Sequence, residues 1–165
     1  MKLYIKQKVF SWGDKFTVKD DFGQDKYIVQ GEVFSWGKKL HIYDMAGREV
    51  LFIKQELWSF LPRYDVYRGD RHIARINKEF TFLFPRYTVD SVGWEIEGNF
   101  TAHDYRITEA GKIVVTICKE WMTWGDSYQL NILDPGDELL ALAVVITIDS
   151  ITESKSGASV SVSSN

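Results

Sequence analysis

Cysteine is nearly missing from this chain. Cys118 stands alone among 165 residues, which excludes an intramolecular disulfide and any cysteine-cluster metal centre. Histidine is scarce too: His41, His72 and His103 fall in separate segments, without the spacing of a helix-borne metal site. His103 and Asp104 are adjacent, but neighbours on a strand point to opposite faces, so adjacency makes no catalytic dyad. No nucleophile elbow, phosphate-cradling loop or dinucleotide fingerprint occurs, so the expectation is a non-enzyme without cofactor or metal. A basic excess is also lacking. Lys and Arg number 20 against 23 Asp and Glu, a net charge of −3, which argues against nucleic acid as a partner but allows a local basic patch. The start, Met-Lys-Leu-Tyr-Ile-Lys-Gln-Lys, carries charge too early for a signal peptide, so a cytoplasmic, reducing location is the expectation. Cys118 follows the apolar run Ile113–Ile117 and reads as a buried structural thiol.

What the chain has is a recurring turn. Glycines at 23, 47, 69, 93, 111 and 136 each sit in a short, mostly polar cluster such as Asp20-Asp21-Phe22-Gly23 or Asp44-Met45-Ala46-Gly47. Gly supplies a positive φ and Asp closes local side-chain turns, so these clusters predict hairpins. A second set of turns interleaves with the first: Trp12-Gly13, Trp36-Gly37, Pro62-Arg63, Pro85-Arg86, Asn99-Phe100 and Trp124-Gly125. The runs between them alternate as strands do, as in Phe16-Thr-Val-Lys, Tyr64-Asp-Val-Tyr and Tyr128-Gln-Leu-Asn-Ile. Val9-Phe-Ser-Trp-Gly13 recurs as Val33-Phe-Ser-Trp-Gly37, and Glu56-Leu-Trp-Ser-Phe-Leu-Pro-Arg-Tyr64 as Glu79-Phe-Thr-Phe-Leu-Phe-Pro-Arg-Tyr87. A hairpin repeat of roughly two dozen residues, used six times, predicts about twelve antiparallel strands.

One stretch is different. From Leu139 to Ile148 only Thr147 is polar, and Pro135-Gly136 breaks the chain just before. With Asp137 as N-cap and Glu138 at the helix N-terminus, Asp137–Ile151 reads as a helix apolar on every side. The competing reading is a buried strand, because Val144–Ile148 is strand-favouring. As a helix it spans roughly 22 Å, short of the ~20 apolar residues a membrane span needs, so no transmembrane segment is expected. A twelve-stranded barrel is too wide for its own side chains to fill, and an apolar helix would plug it. The predicted fold is therefore a closed twelve-stranded antiparallel β-barrel around a buried C-terminal helix; a sandwich is the alternative and leaves the helix without a place. Residues 1–152 form the barrel domain and 153–165 a disordered Ser-rich tail on this reading.

The aromatic-rich hairpins, the Asp-x-x-Gly and Arg-Gly-Asp turns, and the Leu-Ala-Leu-Ala-Val-Val-Ile run resemble the LURP-one-related family, within the Tubby C-terminal-like group that also includes phospholipid scramblases. The resemblance covers nearly all of residues 1–152 and implies the same helix-threaded barrel. It also implies a binding module for anionic phospholipid headgroups, of the phosphoinositide kind, and peripheral attachment at a membrane. It supplies no residue-by-residue headgroup site. The candidates come from the chain itself: Lys38 and Lys39, with Arg63 and Arg86 of the two Pro-Arg-Tyr repeats, could gather cations beside aromatics at one rim. Set against this is an ordinary solvated face of salt bridges. The alternative function is a protein–protein scaffold using an aromatic rim or the tail. Scramblase-like action ranks last, since the extra cysteines and calcium segment of the scramblases are not found here. The tryptophans at 12, 36 and 124 are expected to close the barrel ends over the helix. The turn carboxylates are expected to be structural, and Asp149 to lie exposed at the barrel mouth, the other possibility being a buried, paired carboxylate.

Overall fold

Twelve strands close on themselves. The computed structural model describes residues 1–6, 15–32, 35–120 and 127–160, the last seven as backbone. The strands are β1 (Lys2–Lys6), β2 (Lys15–Lys19), β3 (Asp25–Gly31), β4 (Lys39–Asp44), β5 (Glu49–Gln55) and β6 (Arg63–Arg68), then β7 (Arg71–Lys78), β8 (Tyr87–Val89), β9 (Trp94–Asn99), β10 (Asp104–Glu109), β11 (Lys112–Glu120) and β12 (Ser127–Ile132). Each pairs antiparallel with its sequence neighbours, and β12 pairs with β1 from Lys2 opposite Asn131 to Lys6 opposite Ser127, which leaves no open edge.

Alternation along each strand sends one set of side chains inward. Leu40 and Ile42, Leu51 and Ile53, Tyr105 and Ile107 are buried, while their neighbours face out. The outer wall carries many charged groups, among them Lys39, Asp65, Arg75, Glu95, Glu97 and Arg106, together with aromatic side chains such as Phe52 and Tyr67. The helix α1 (Glu138–Val160) runs through the lumen, and every residue from Ala141 to Ile151 is buried. With no side facing solvent, the helix from Ala141 to Ile148 is apolar but for Thr147, which explains the run's composition.

Two features of the helix depart from the sequence reading. Its N-terminus is prepared by a 3-10 turn (Pro135–Asp137) capped by Asp134, whose carboxylate accepts from the Gly136 N–H at 2.8 Å; Asp137 is inside that turn and is not the cap. The helix also continues to Val160 rather than ending at Ile151, so residues 153–160 are helical where a disordered tail was expected. No proline interrupts that stretch, and Thr152, Glu153 and Lys155 are compatible with a helix.

The two ends of the barrel differ. At the helix N-terminal end the strands are joined by tight turns. In two of them an Asp side chain organises the bend: Asp20 Oδ1 accepts from the N–H of Phe22 and Gln24, and Asp44 Oδ1 from Ala46 and Arg48, ahead of Gly23 and Gly47 at φ 75 and 81°. Glu138 is tied to β3 there by Lys26 at 2.5 Å and the Tyr27 hydroxyl at 3.0 Å. At the other end, where the helix leaves, the connections are longer. The segments between β3 and β4, β5 and β6, and β7 and β8 all lie at that end.

Candidate functional site at the long-loop end

Three of the long connections are built alike. A glutamate N–H closes each loop onto a carbonyl seven residues on: Glu32 to Lys39 at 3.1 Å, Glu56 to Arg63 at 2.9 Å and Glu79 to Arg86 at 2.8 Å. Inside each loop a hydroxyl donates to a nearby carbonyl, Ser35 to Gly37 and Ser59 to Leu61 at 2.7 and 2.6 Å, and Thr81 to Phe84. The first two loops also touch. Gly37, at φ 77°, packs so closely that a Cβ there would meet the Leu57 side chain at 2.7 Å; the Gln55 N–H donates to the Lys38 carbonyl at 2.8 Å, and the Lys38 N–H donates to the Gln55 side-chain Oε1 at 3.1 Å. With their backbones clamped, the loops turn their large apolar side chains outward. Trp58 and Phe60 are each 96% exposed, Phe82 95% and Trp36 88%, with Phe80, Leu83 and Phe84 also open to solvent. Trp36 thus does not close the barrel end; Trp12 and Trp124 lie outside the described residues.

The four candidate cations stand at this end, where each loop meets its strand. Lys38 and Lys39 precede and open β4, Arg63 opens β6, and Arg86 precedes β8. One strand intervenes between successive positions, so they are spaced roughly 10 Å apart around the rim rather than gathered in one concavity. Three are already engaged. Lys39 pairs with Glu32 at 3.1 Å, and Arg86 with Glu95 and Glu97 at 2.9 and 2.6 Å. Lys38 turns toward the helix, donating to the Ser150 carbonyl at 2.5 Å, and burial pulls its ammonium down to about 8 against the attraction of Glu153. Arg63 is exposed.

Beneath the rim lies a polar cluster that the sequence reading did not assemble. Tyr64, Tyr87, Tyr105 and Tyr128 are the first inward side chains of β6, β8, β10 and β12, and all four are buried. They surround the helix where its apolar run ends at Asp149 and Ser150. Asp149 is 7% exposed: it accepts the Tyr128 hydroxyl, and His103 Nε2 stands 3.3 Å from its other oxygen. The His103 ring stacks on Tyr128 at 4.1 Å, held by a left-handed backbone (φ 50°) in the β9–β10 turn. Asp149 is therefore paired inside the barrel, not exposed at its mouth, and its partners are a tyrosine and a histidine. Burial pushes the hydroxyls of Tyr87, Tyr105 and Tyr128 up, the Asp149 charge adding to the last two, and it takes Tyr64 to about 12 beside the Ser150 hydroxyl. One turn along the helix, burial and Asp149 raise Glu153 to about 7.

Next to this cluster a cleft of about 1350 Å³ opens along β9–β11, lined by Phe84, Arg86, Tyr87, Phe100, Tyr105 and Cys118 among others. Cys118 is half-buried on the outward face of β11, a correction to the expected buried thiol. His41, on β4, bridges Glu32 and Glu49 at 2.9 and 2.5 Å, and His72, on β7, meets Asp65 at 2.8 Å. No three His, Cys or carboxylate side chains converge as metal ligands among the described residues. No described helix is long and apolar enough to cross a membrane.

A family model described as LURP-one-related matches residues 1–149. The chain belongs to the LURP-one-related family. A relative in the same size range is the uncharacterized Bacillus subtilis protein YxjI, 32% identical over 151 residues, which span 92% of this chain and 93% of that protein. A solved structure of an Arabidopsis thaliana protein shares the fold with a TM-score of 0.66 at 16% identity, covering 92% of this chain and 90% of that one. Family membership accounts for the barrel and its threading helix. The clamped loops and the buried Asp149 cluster are read from this chain's own residues.

Proposed function

We propose that this LURP-one-related barrel is a non-catalytic binding module that engages anionic phospholipid headgroups at the cytoplasmic face of a membrane, through its long-loop end. The observation that carries the reading is the coincidence at one end of Lys39, Arg63 and Arg86, with Lys38 turned inward onto the helix behind them, and outward-facing Trp and Phe side chains. Cations draw phosphate oxygens, and amphipathic aromatic rings favour the membrane–water interface. The charged outer wall of the barrel supports attachment by one end rather than burial of the strands in lipid. The membrane relation implied by the Tubby-like resemblance points the same way. Charge alone gives modest attraction here, because Lys39 and Arg86 already face carboxylates.

Vesicle flotation tests this directly. The chain should float with vesicles containing phosphatidylserine or a phosphoinositide and stay behind with pure phosphatidylcholine, and charge reversal at Arg63 should weaken the difference. Equal partition to both would remove headgroup recognition. The second reading is a protein scaffold, favoured by the same exposed aromatics, since an apolar surface of that extent commonly marks a protein contact.

A further inference from the structure

We infer that the three repeated loops, residues 32–39, 56–63 and 79–86, are insertion devices whose aromatic tips enter the interfacial zone of a lipid bilayer, so that apolar penetration rather than ion pairing holds the barrel to its membrane. This rests on the reading above that the long-loop end faces a membrane.

The loops are a repeated construction. Each is closed by the same backbone bond between its first and eighth residues, stiffened inside by a Ser or Thr hydroxyl, and ended by a cation: Lys39, Arg63 or Arg86. Trp36, Trp58, Phe60, Phe80, Phe82 and Phe84 stand out of these clamped backbones, each at least 77% exposed. Holding such side chains in water is unfavourable, and several of them exposed at one end of a barrel mark a contact surface. The shape of the surface selects the occupant. The exposed tips belong to three separate connections with a strand pair between one and the next, so a fluid bilayer can receive them together, whereas a protein partner would need a matching site for each. The layering agrees. Tip residues lie outermost, and the cation lies one step behind, where the loop meets its strand, matching hydrocarbon followed by phosphate. The ion pairs decide the energetic balance. Glu32 occupies Lys39, while Glu95 and Glu97 occupy Arg86, which leaves the aromatic side chains as the larger uncommitted resource.

The test is vesicle pelleting of the full chain, with phosphatidylcholine alone and with added phosphatidylserine, at 0.1 and 0.5 M salt. It compares wild type with Trp58→Ser/Phe60→Ser and Phe82→Ser/Phe84→Ser, whose folding is checked by circular dichroism and thermal melts. Each double variant should melt like wild type and lose roughly tenfold or more in partition, the scale of two aromatic side chains part-way withdrawn from water. Wild-type binding should survive the higher salt in large part. If folded variants bind anionic vesicles as wild type does, or if salt abolishes wild-type binding, insertion is overturned while headgroup recognition stands. If wild type binds neutral and anionic vesicles equally and the variants lose both, insertion stands and headgroup recognition falls. A wild-type chain that pellets with no vesicle overturns both and leaves the tips to a protein partner.

Discussion

Replacing Asp149 by alanine should cost about 2–4 kcal/mol, because it strips a buried hydroxyl and an imidazole of their shared acceptor. Tyr128 is 2% exposed and Asp149 7%, so water cannot readily replace either partner. Tyr128→Phe removes the donor and leaves the carboxylate to His103 alone, at an expected cost of about 1–2 kcal/mol. If the two groups stabilise each other, the double variant should lose less than the sum, with a coupling of about 1–2 kcal/mol. Asp149→Asn, which keeps an acceptor for the tyrosine, should be milder than Asp149→Ala. Urea unfolding followed by circular dichroism measures all four variants, provided the m-value stays constant. Additive losses, or an Asp149→Ala variant as stable as wild type, would refute the paired buried carboxylate.

Two further predictions concern the same helix. Glu153 sits at about 7 against an ordinary 4.5, so the folded state holds its proton more tightly. Stability from this group is complete below about pH 4.5 and declines as pH rises through 7, by about 1–2 kcal/mol once solvent screening at this half-buried position is allowed for. Melting temperature should therefore fall less between pH 5 and 7.5 in Glu153→Gln than in wild type; parallel curves would contradict the assignment. Val145→Asp places an unpaired carboxylate at the centre of the lumen, where Val145 is fully buried, and should cost several kcal/mol or prevent folding, read as loss of the cooperative thermal transition.

How much of this was visible beforehand differs by feature. The hairpins were legible because each signal is local: Asp20 and Asp44 bind backbone N–H groups two and four residues away, and the glycines beside them take the positive φ such turns need. The helix was legible because an uninterrupted apolar run has few possible environments. Asp149 was misplaced because its partners are remote in sequence, at Tyr128 and His103, although a tyrosine near the start of every second strand from β6 onward was the available signal. Cys118 was misplaced for a different reason. Between β10 and β11 the register shifts, Ile107 facing Val115 and Thr108 facing Ile113, so one extra residue reverses the inside–outside parity of an apolar run. Trp36 was misplaced over the barrel end, since its clamped loop holds it out in solvent. The Glu56–Tyr64 and Glu79–Tyr87 echo showed the repetition, but exposure of its aromatic residues is set by backbone closure that sequence spacing alone does not display.

Trp58 carries its own reporter of whether the aromatic loop tips meet lipid. Tryptophan emission should be recorded from wild type and Trp58→Phe on anionic vesicles whose acyl chains are brominated, with equal bound fractions confirmed by pelleting. The difference between the two spectra, the Trp58 contribution, should be blue-shifted and quenched. A Trp58 contribution that stays red and unquenched while the protein is bound would contradict insertion of the tips.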